Sequence, residues 1–224
     1  HFQNVSVDPD TEITITPGAT YALYTAFTTL LQPGDEVIVL EPAYDSYVPN
    51  IYASGALPVR VSLNSADFSV DWEKVFAAAN DKTKAIVINN PHTPCGSTWQ
   101  EHDFNELIRL VQQHNLYVVS DEVYEHLVFD GKEHISVLRF PELRERSFVI
   151  YSFGKAFHST GWKMGYCIAN PVLTSAFRQL HQYLAFSVNT PMQQAIATYL
   201  GNPEPLRHTT QLLQQKRDFF LEQM

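Results

Sequence analysis

The 224 residues carry 15 Lys and Arg against 24 Asp and Glu, a formal net charge of −9, with 45% hydrophobic and 12% aromatic residues. That supply of apolar side chains is enough for a substantial core and excludes a disordered tail, a collagen-like repeat and a disulfide scaffold. The acidic balance argues against nucleic acid or an anionic membrane as partner, and the longest uncharged, mostly apolar helical stretch, Tyr21 to Leu31, is too short for a bilayer.

Along the chain, short β-rich runs alternate with longer helical patterns, the signature of βα units wrapped around a mostly parallel central sheet with helices on both faces. Glu12 to Thr16 reads as a strand, Pro17-Gly18 as a turn, and Ala19 to Leu31 as a helix stopped by Pro33-Gly34-Asp35. Further strands are expected at Glu36 to Leu40, Leu57 to Ser62, Ala85 to Asn89, Leu116 to Ser120, Ser147 to Ser152 and Met164 to Ile168. Most of these are continuously apolar, as buried strands are. Helices are expected at Tyr44 to Ser54, Asp71 to Ala79, Gln100 to His114, Pro171 to Phe186 and Thr190 to Leu200, several opening after Asn, Asp or Pro. Pro203 and Pro205 mark a linker-like break, after which Leu206 to Met224 reads as one long polar helix leaving the domain. The division expected is therefore one domain over 1–202 and, over 203–224, the start of a helix leading away from it. The start at His1 without an initiator Met suggests a fragment. Two cysteines outside any C-x-x-C spacing, Cys95 and Cys167, and the absence of a basic-then-apolar leader suggest the cytoplasm.

Several local motifs fail. Gly154-Lys155 follows a strand, but a phosphate-binding P-loop needs Gly where Val149 stands and Ser or Thr where Ala156 stands. No G-x-G-x-x-G, G-x-S-x-G or H-E-x-x-H run is present, and the histidines are scattered, so no metal site is expected. Ligands of an open α/β sheet bind beyond the carboxyl ends of its strands. At those ends the sequence places Pro17-Gly18-Ala19-Thr20, Pro42-Ala43-Tyr44, Asn90-Pro91-His92-Thr93-Pro94-Cys95-Gly96, Ser120-Asp121-Glu122-Val123-Tyr124 and Ser152-Phe153-Gly154-Lys155. An anion cradle, a flat aromatic, a carboxylate, a phenol and a lysine thus occupy successive strand ends.

The run from Ser152 to Gly165 resembles the Schiff-base lysine motif of the fold-type I, pyridoxal-phosphate-dependent aminotransferases of class I and II, and Ser120 to Tyr124 resembles that family's Asp-x-x-Tyr motif. The runs Asp121 to His126 and Phe186 to Pro191 are most similar to the branch holding bacterial methionine aminotransferases and kynurenine aminotransferases. The resemblance covers the family's large domain. It implies that Lys155 forms the imine with the cofactor aldehyde and shuttles the substrate's Cα proton, and that Asp121 holds the proton of the pyridine nitrogen. It further implies that Tyr124 faces the cofactor's phenolate oxygen, that Tyr44 stacks on the ring, and that Gly18, Ala19, Thr20, Ser152 and Lys163 receive the phosphate at a helix N-terminus. Thr93 stands where the family has Asn, a hydroxyl of shorter reach than an amide. Cys95 and Cys167 are expected to be structural, and Trp162 to support the lysine loop by packing.

The expected function is transfer of an amino group between an amino acid, methionine or an aromatic one, and a 2-oxo acid. The resemblance also implies a homodimer whose active site draws on a partner tyrosine and on a small-domain arginine outside this segment. Two alternatives remain: a carbon–sulfur β-lyase on the same scaffold, and a cofactor-sensing domain of a transcription regulator.

Overall fold

The computed structural model describes residues 5–202 and 204–224; residues 1–4 and Pro203, on which the expected domain start and part of the linker-like break fall, lie outside the described residues. A short helix α1 (Pro9–Glu12), capped by Asp8, leads into β1 (Ile13–Thr16), so Glu12 belongs to the helix rather than to the expected strand. There follow α2 (Ala19–Leu30), β2 (Glu36–Glu41), α3 (Tyr47–Ala53), β3 (Leu57–Ser62), α4 (Trp72–Ala78), β4 (Thr83–Asn89), α5 (Glu101–His114) and β5 (Tyr117–Asp121). The second half holds α6 (Pro141–Arg144), β6 (Ser147–Ser152), α7 (Phe153–Ala156), β7 (Gly165–Ile168), α8 (Pro171–Leu184), α9 (Thr190–Leu200) and α10 (Glu204–Glu222).

The strands form one seven-stranded sheet in the order β1-β7-β6-β5-β4-β2-β3. Six of them share one direction, while β7 lies antiparallel between β6 and β1. Side chains alternate across each strand, and here both faces are covered. Ile38, Ile86, Val118 and Val149 pack with Phe104 and Leu107 of α5 on one face. Val37, Val39, Val87, Val119 and Ile150 pack with Ala22, Phe27 and Phe177 of α2 and α8 on the other. This double coverage is why the strands read as nearly unbroken apolar runs.

Two expectations are corrected. The helix expected from Tyr44 begins at Tyr47, because residues 42–46 form the loop that leaves β2. The last helix is held against the domain as far as Arg217. Thr210 Oγ1 donates to the His126 carbonyl at 2.7 Å, Gln214 Oε1 accepts from the Asp130 amide at 3.1 Å, and Arg217 pairs with Asp130, which holds that carboxyl below its usual range. These bonds, with the buried Leu206, lay α10 back over residues 126–130.

Candidate active site

Three features of the sheet converge on one point. In the antiparallel ladder Gly165 lies opposite Thr16 on one side and Ser152 on the other. A Cβ at Gly165 would come within 2.7 Å of the Tyr151 carbonyl oxygen and 3.1 Å of the Ala19 amide nitrogen, so only glycine lets the start of α2 close on the end of β6. Gly18 caps α2 with φ 85°, a conformation that side chains rarely adopt, and no acidic residue occupies the helix's first turn. The first backbone N–H groups of α2 have no partner within the helix and carry the positive end of its dipole. Lys163 also sits in the left-handed region, at φ 53°, and its Nζ lies 3.4 Å from where a Gly18 Cβ would be. Strain at a non-glycine residue beside an anion-binding helix end is characteristic of a working site.

The next strands supply the floor. Asn89 and Asp121 are paired in register as the last residues of β4 and β5. Asn89 Nδ2 donates to the Asp121 carbonyl at 2.8 Å, and its Oδ1 accepts the Thr93 amide at 2.6 Å, which fixes the 90–93 turn against β5. The Asp121 side chain is buried: Oδ2 accepts from the Tyr47 hydroxyl at 2.7 Å and Oδ1 from the Val123 amide at 3.3 Å. Burial pushes its carboxyl up to about 6, against the opposing pull of the Tyr47 hydrogen bond. Its neighbour Glu122 points to the opposite side of the strand. There its carboxylate accepts from Ser120 Oγ (2.9 Å), Tyr151 OH (2.8 Å) and the Val137 amide (3.1 Å) and pairs with His134 Nε2 (3.0 Å). Adjacent acids therefore differ in kind, one saturated with structural partners and the other facing the cavity.

At the end of β6, Ser152 Oγ caps α7 by accepting from the Lys155 amide at 3.4 Å. The short helix carries Lys155, whose Nζ lies 5.3 Å from the centroid of the Tyr124 ring. Gly154 is required behind it, because a Cβ there would meet Thr160 Cα at 3.0 Å.

Gly18, Ala19, Thr20, Tyr44, Thr93, Asp121, Tyr124, Ser152, Lys155 and Lys163 all line one cavity of about 160 Å3. Every residue singled out in the sequence for a cofactor site is therefore brought together. Asn89, Val123, Gly154, Thr160 and Met164 complete the wall. Strand-end reasoning would have reached Asn89, the last residue of β4; Tyr47, behind Asp121, carries no sequence signal, because only the tertiary structure aims its hydroxyl. Trp162, expected to support the lysine loop by packing, is 56% exposed. Cys167 is buried and Cys95 partly exposed, and both thiols are free.

A phosphate-sized helix end, a lysine, a buried carboxylate and a ring-sized gap on the carboxyl edge of a doubly covered sheet define a class, the α/β proteins that hold a flat anionic ligand against a lysine. The family model for aminotransferase class I and II matches residues 1–224, and the chain belongs to that family, whose members depend on pyridoxal phosphate. It is 46% identical over 215 residues to a methionine aminotransferase of Escherichia coli, covering 96% of this chain and 56% of that protein. A kynurenine–oxoglutarate transaminase of Dictyostelium discoideum is 37% identical over 234 residues, covering 96% of this chain and 54% of that protein. Among solved structures, an Escherichia coli protein with a methionine aminotransferase function superposes with a TM-score of 0.95 at 44% identity, over 98% of this chain and 58% of that one. The N-succinyldiaminopimelate aminotransferase of Mycobacterium tuberculosis gives 0.94 at 35% identity, over 99% and 58%. The chain thus spans about half the length of these relatives.

Proposed function

We propose that the protein is a pyridoxal-phosphate-dependent aminotransferase exchanging an amino group between an amino acid, methionine or an aromatic one, and a 2-oxo acid. The observation that carries this reading is the meeting of Lys155 and buried Asp121 in one cavity that ends on the free amides of α2. The residues fit the cofactor. Its phosphate matches the α2 N-terminus, where Gly18 leaves the backbone open and Thr20, Ser152 and Lys163 stand at the wall. Its ring matches the gap beside Tyr44, and a cationic ring nitrogen suits an otherwise poorly compensated carboxylate.

When bound, pyridoxal phosphate supplies an aldehyde carbon open to amines and a ring that accepts electron density from the substrate's Cα. With the cofactor bound, Lys155 would provide the amine that holds it in the resting enzyme and, once freed by a substrate amine, would serve as the base that carries the substrate's Cα proton. Asp121 would offer a charge-assisted hydrogen bond to a protonated ring nitrogen, Tyr124 would offer its hydroxyl to the phenolate oxygen, and Tyr44 would offer a flat face to the ring. Thr93, held by the Asn89 bond to its amide, presents a hydroxyl where relatives of the family present an amide.

We extend the reading to a cytoplasmic homodimer with residues 1–202 as its cofactor domain and 203–224 as the beginning of a helix toward a further domain. The match to relatives about twice as long supports the domain division. The exposed Tyr183 and Phe186 at the end of α8, and Phe219 and Phe220 on α10, support an apolar contact beyond this chain.

The test is an absorption spectrum taken with added pyridoxal phosphate. A visible band that bleaches when methionine or phenylalanine is added, with stoichiometric conversion of a 2-oxo acid to its amino acid, and that is absent in Lys155→Ala, is the expected result. Pyruvate and ammonia from a β-thio amino acid, without amino transfer, would assign a lyase instead.

A further inference from the structure

Asp121 is placed for its task by a side chain that lies outside the cavity wall. Tyr47 opens α3, is 3% exposed, and puts its hydroxyl 2.7 Å from Asp121 Oδ2. That bond is shorter than the 3.3 Å contact from the Val123 amide to Oδ1, so Tyr47 is the closer of the two partners. The same tyrosine packs edge-on against Tyr44, with ring centroids 5.6 Å apart at 76°, and its amide donates to the Tyr44 carbonyl at 3.2 Å. One rigid turn therefore couples the aromatic at the ring face to the hydroxyl behind the carboxylate.

We infer that Tyr47 is a positioning residue for the cofactor, holding the Asp121 carboxylate ionised and turned into the cavity so that it can receive a cationic ring nitrogen. This rests on the cofactor assignment above. A carboxylate removed from water reverts to the neutral acid unless hydrogen bonds reward its charge, and a neutral acid offers little to a cation. Burial raises the Asp121 carboxyl, and the Tyr47 hydrogen bond is the largest influence pulling it back. Tyr47 itself is driven well above its ordinary range by burial and then by the neighbouring Asp121 charge, so at neutral pH it remains a hydrogen donor. The other titratable groups around the pair are Tyr44 on the loop before α3, Glu122 beside Asp121 on the strand, Tyr124 on the following turn and Lys155 on α7. Of these, Glu122 opposes the Asp121 charge and Lys155 favours it.

The experiment is a carboxyl titration of Asp121 in the cofactor-free full chain, by carbon NMR with labelled aspartate, the resonance identified by its absence in Asp121→Asn. In Tyr47→Phe the midpoint should rise by about one pH unit or more, a tenfold change in the proton affinity of the carboxylate. In parallel, the dissociation constant for pyridoxal phosphate at pH 7 should rise by about twofold, in proportion to the charged fraction lost when the midpoint moves up from about 6 by one pH unit. Tyr47→His, which keeps an N–H donor, should restore part of both, and it supplies the comparison if Tyr47→Phe folds poorly. An unmoved midpoint with a lowered melting temperature would mean that Tyr47 only packs, and would overturn the inference. A moved midpoint in a protein that fails to bind pyridoxal phosphate in any variant would instead overturn the cofactor assignment and leave the control of Asp121 by Tyr47 standing.

Discussion

A carboxylate kept in a dry site is costly at the level of the single residue, and Asp121 shows the direction of that cost. Its carboxyl is raised from an ordinary 3.8 to about 6, with burial the main cause. The folded chain therefore binds this proton more tightly than the unfolded chain, and stability falls as pH rises between those two values. Above pH 6 the loss is at most about 3 kcal/mol, from about 1.4 kcal/mol per pH unit. Asp121→Asn keeps the shape and still accepts from Tyr47. We expect cofactor-free Asp121→Asn to be more stable than the natural chain at pH 7 by about 1–3 kcal/mol in urea titrations, with the difference shrinking toward pH 4, while cofactor affinity collapses. Equal stability of the two proteins at every pH would contradict the burial argument. The meeting of Lys155, Asp121 and Tyr124 in one cavity was legible because their types and order carry a motif. The exposure of Trp162 was not legible, because a large aromatic beside such a loop can equally be a surface residue.

At the scale of elements, the cavity depends on how strand ends are fixed. Glu122 gathers Ser120, His134, Tyr151 and the Val137 amide, tying β5, β6 and the long 122–137 connection into one buried cluster. Glu122→Ala would remove the acceptor those donors share, and a loss of about 3–5 kcal/mol of unfolding free energy is expected by denaturant titration. A loss below 1 kcal/mol would show that water or rearrangement replaces the network. The Gly165 contact makes a second demand. Gly165→Ala drives a methyl group into the Tyr151 carbonyl and the Ala19 amide, so it should cost about 1–3 kcal/mol and weaken phosphate binding to apo protein, while a Gly161→Ala control, with open space around it, should do neither. Element identity was readable from periodicity: the α2, α5 and α8 helices and the apolar strands fall where expected, within a few residues. The start of α3 was not, because between Pro42 and Tyr47 no further proline or glycine marks where the helix begins. The return of α10 was not either, since it depends on polar contacts from Thr210, Gln214 and Arg217 to residues distant in sequence.

For the whole molecule, a mostly parallel sheet with two covered faces presents its carboxyl edge, and that edge is where the predicted residues meet. The order of strands, with β7 reversed between β6 and β1, could not be read from the sequence, because a short apolar run does not reveal its direction. Among the described residues, no helix is long and apolar enough to cross a membrane. The apolar side chains left in water at Tyr183, Phe186, Phe219 and Phe220 belong to the same scale. Under the proposed homodimer, sedimentation velocity of the protein should give a two-chain species, and replacing Tyr183 and Phe186 with serine should shift it toward the monomer; an unchanged monomer in both would remove the dimer from the account.

The central claim, that Lys155 holds pyridoxal phosphate above Asp121, is tested most directly by trapping the lysine–cofactor bond. The protein is incubated with pyridoxal phosphate at stoichiometric concentration, reduced with borohydride, digested and mapped by mass spectrometry. The account predicts one cofactor mass per chain, confined to the peptide carrying Lys155 and lost in Lys155→Arg. Label spread over surface lysines such as Lys74, Lys82 and Lys132, with Lys155 unmodified, would contradict it.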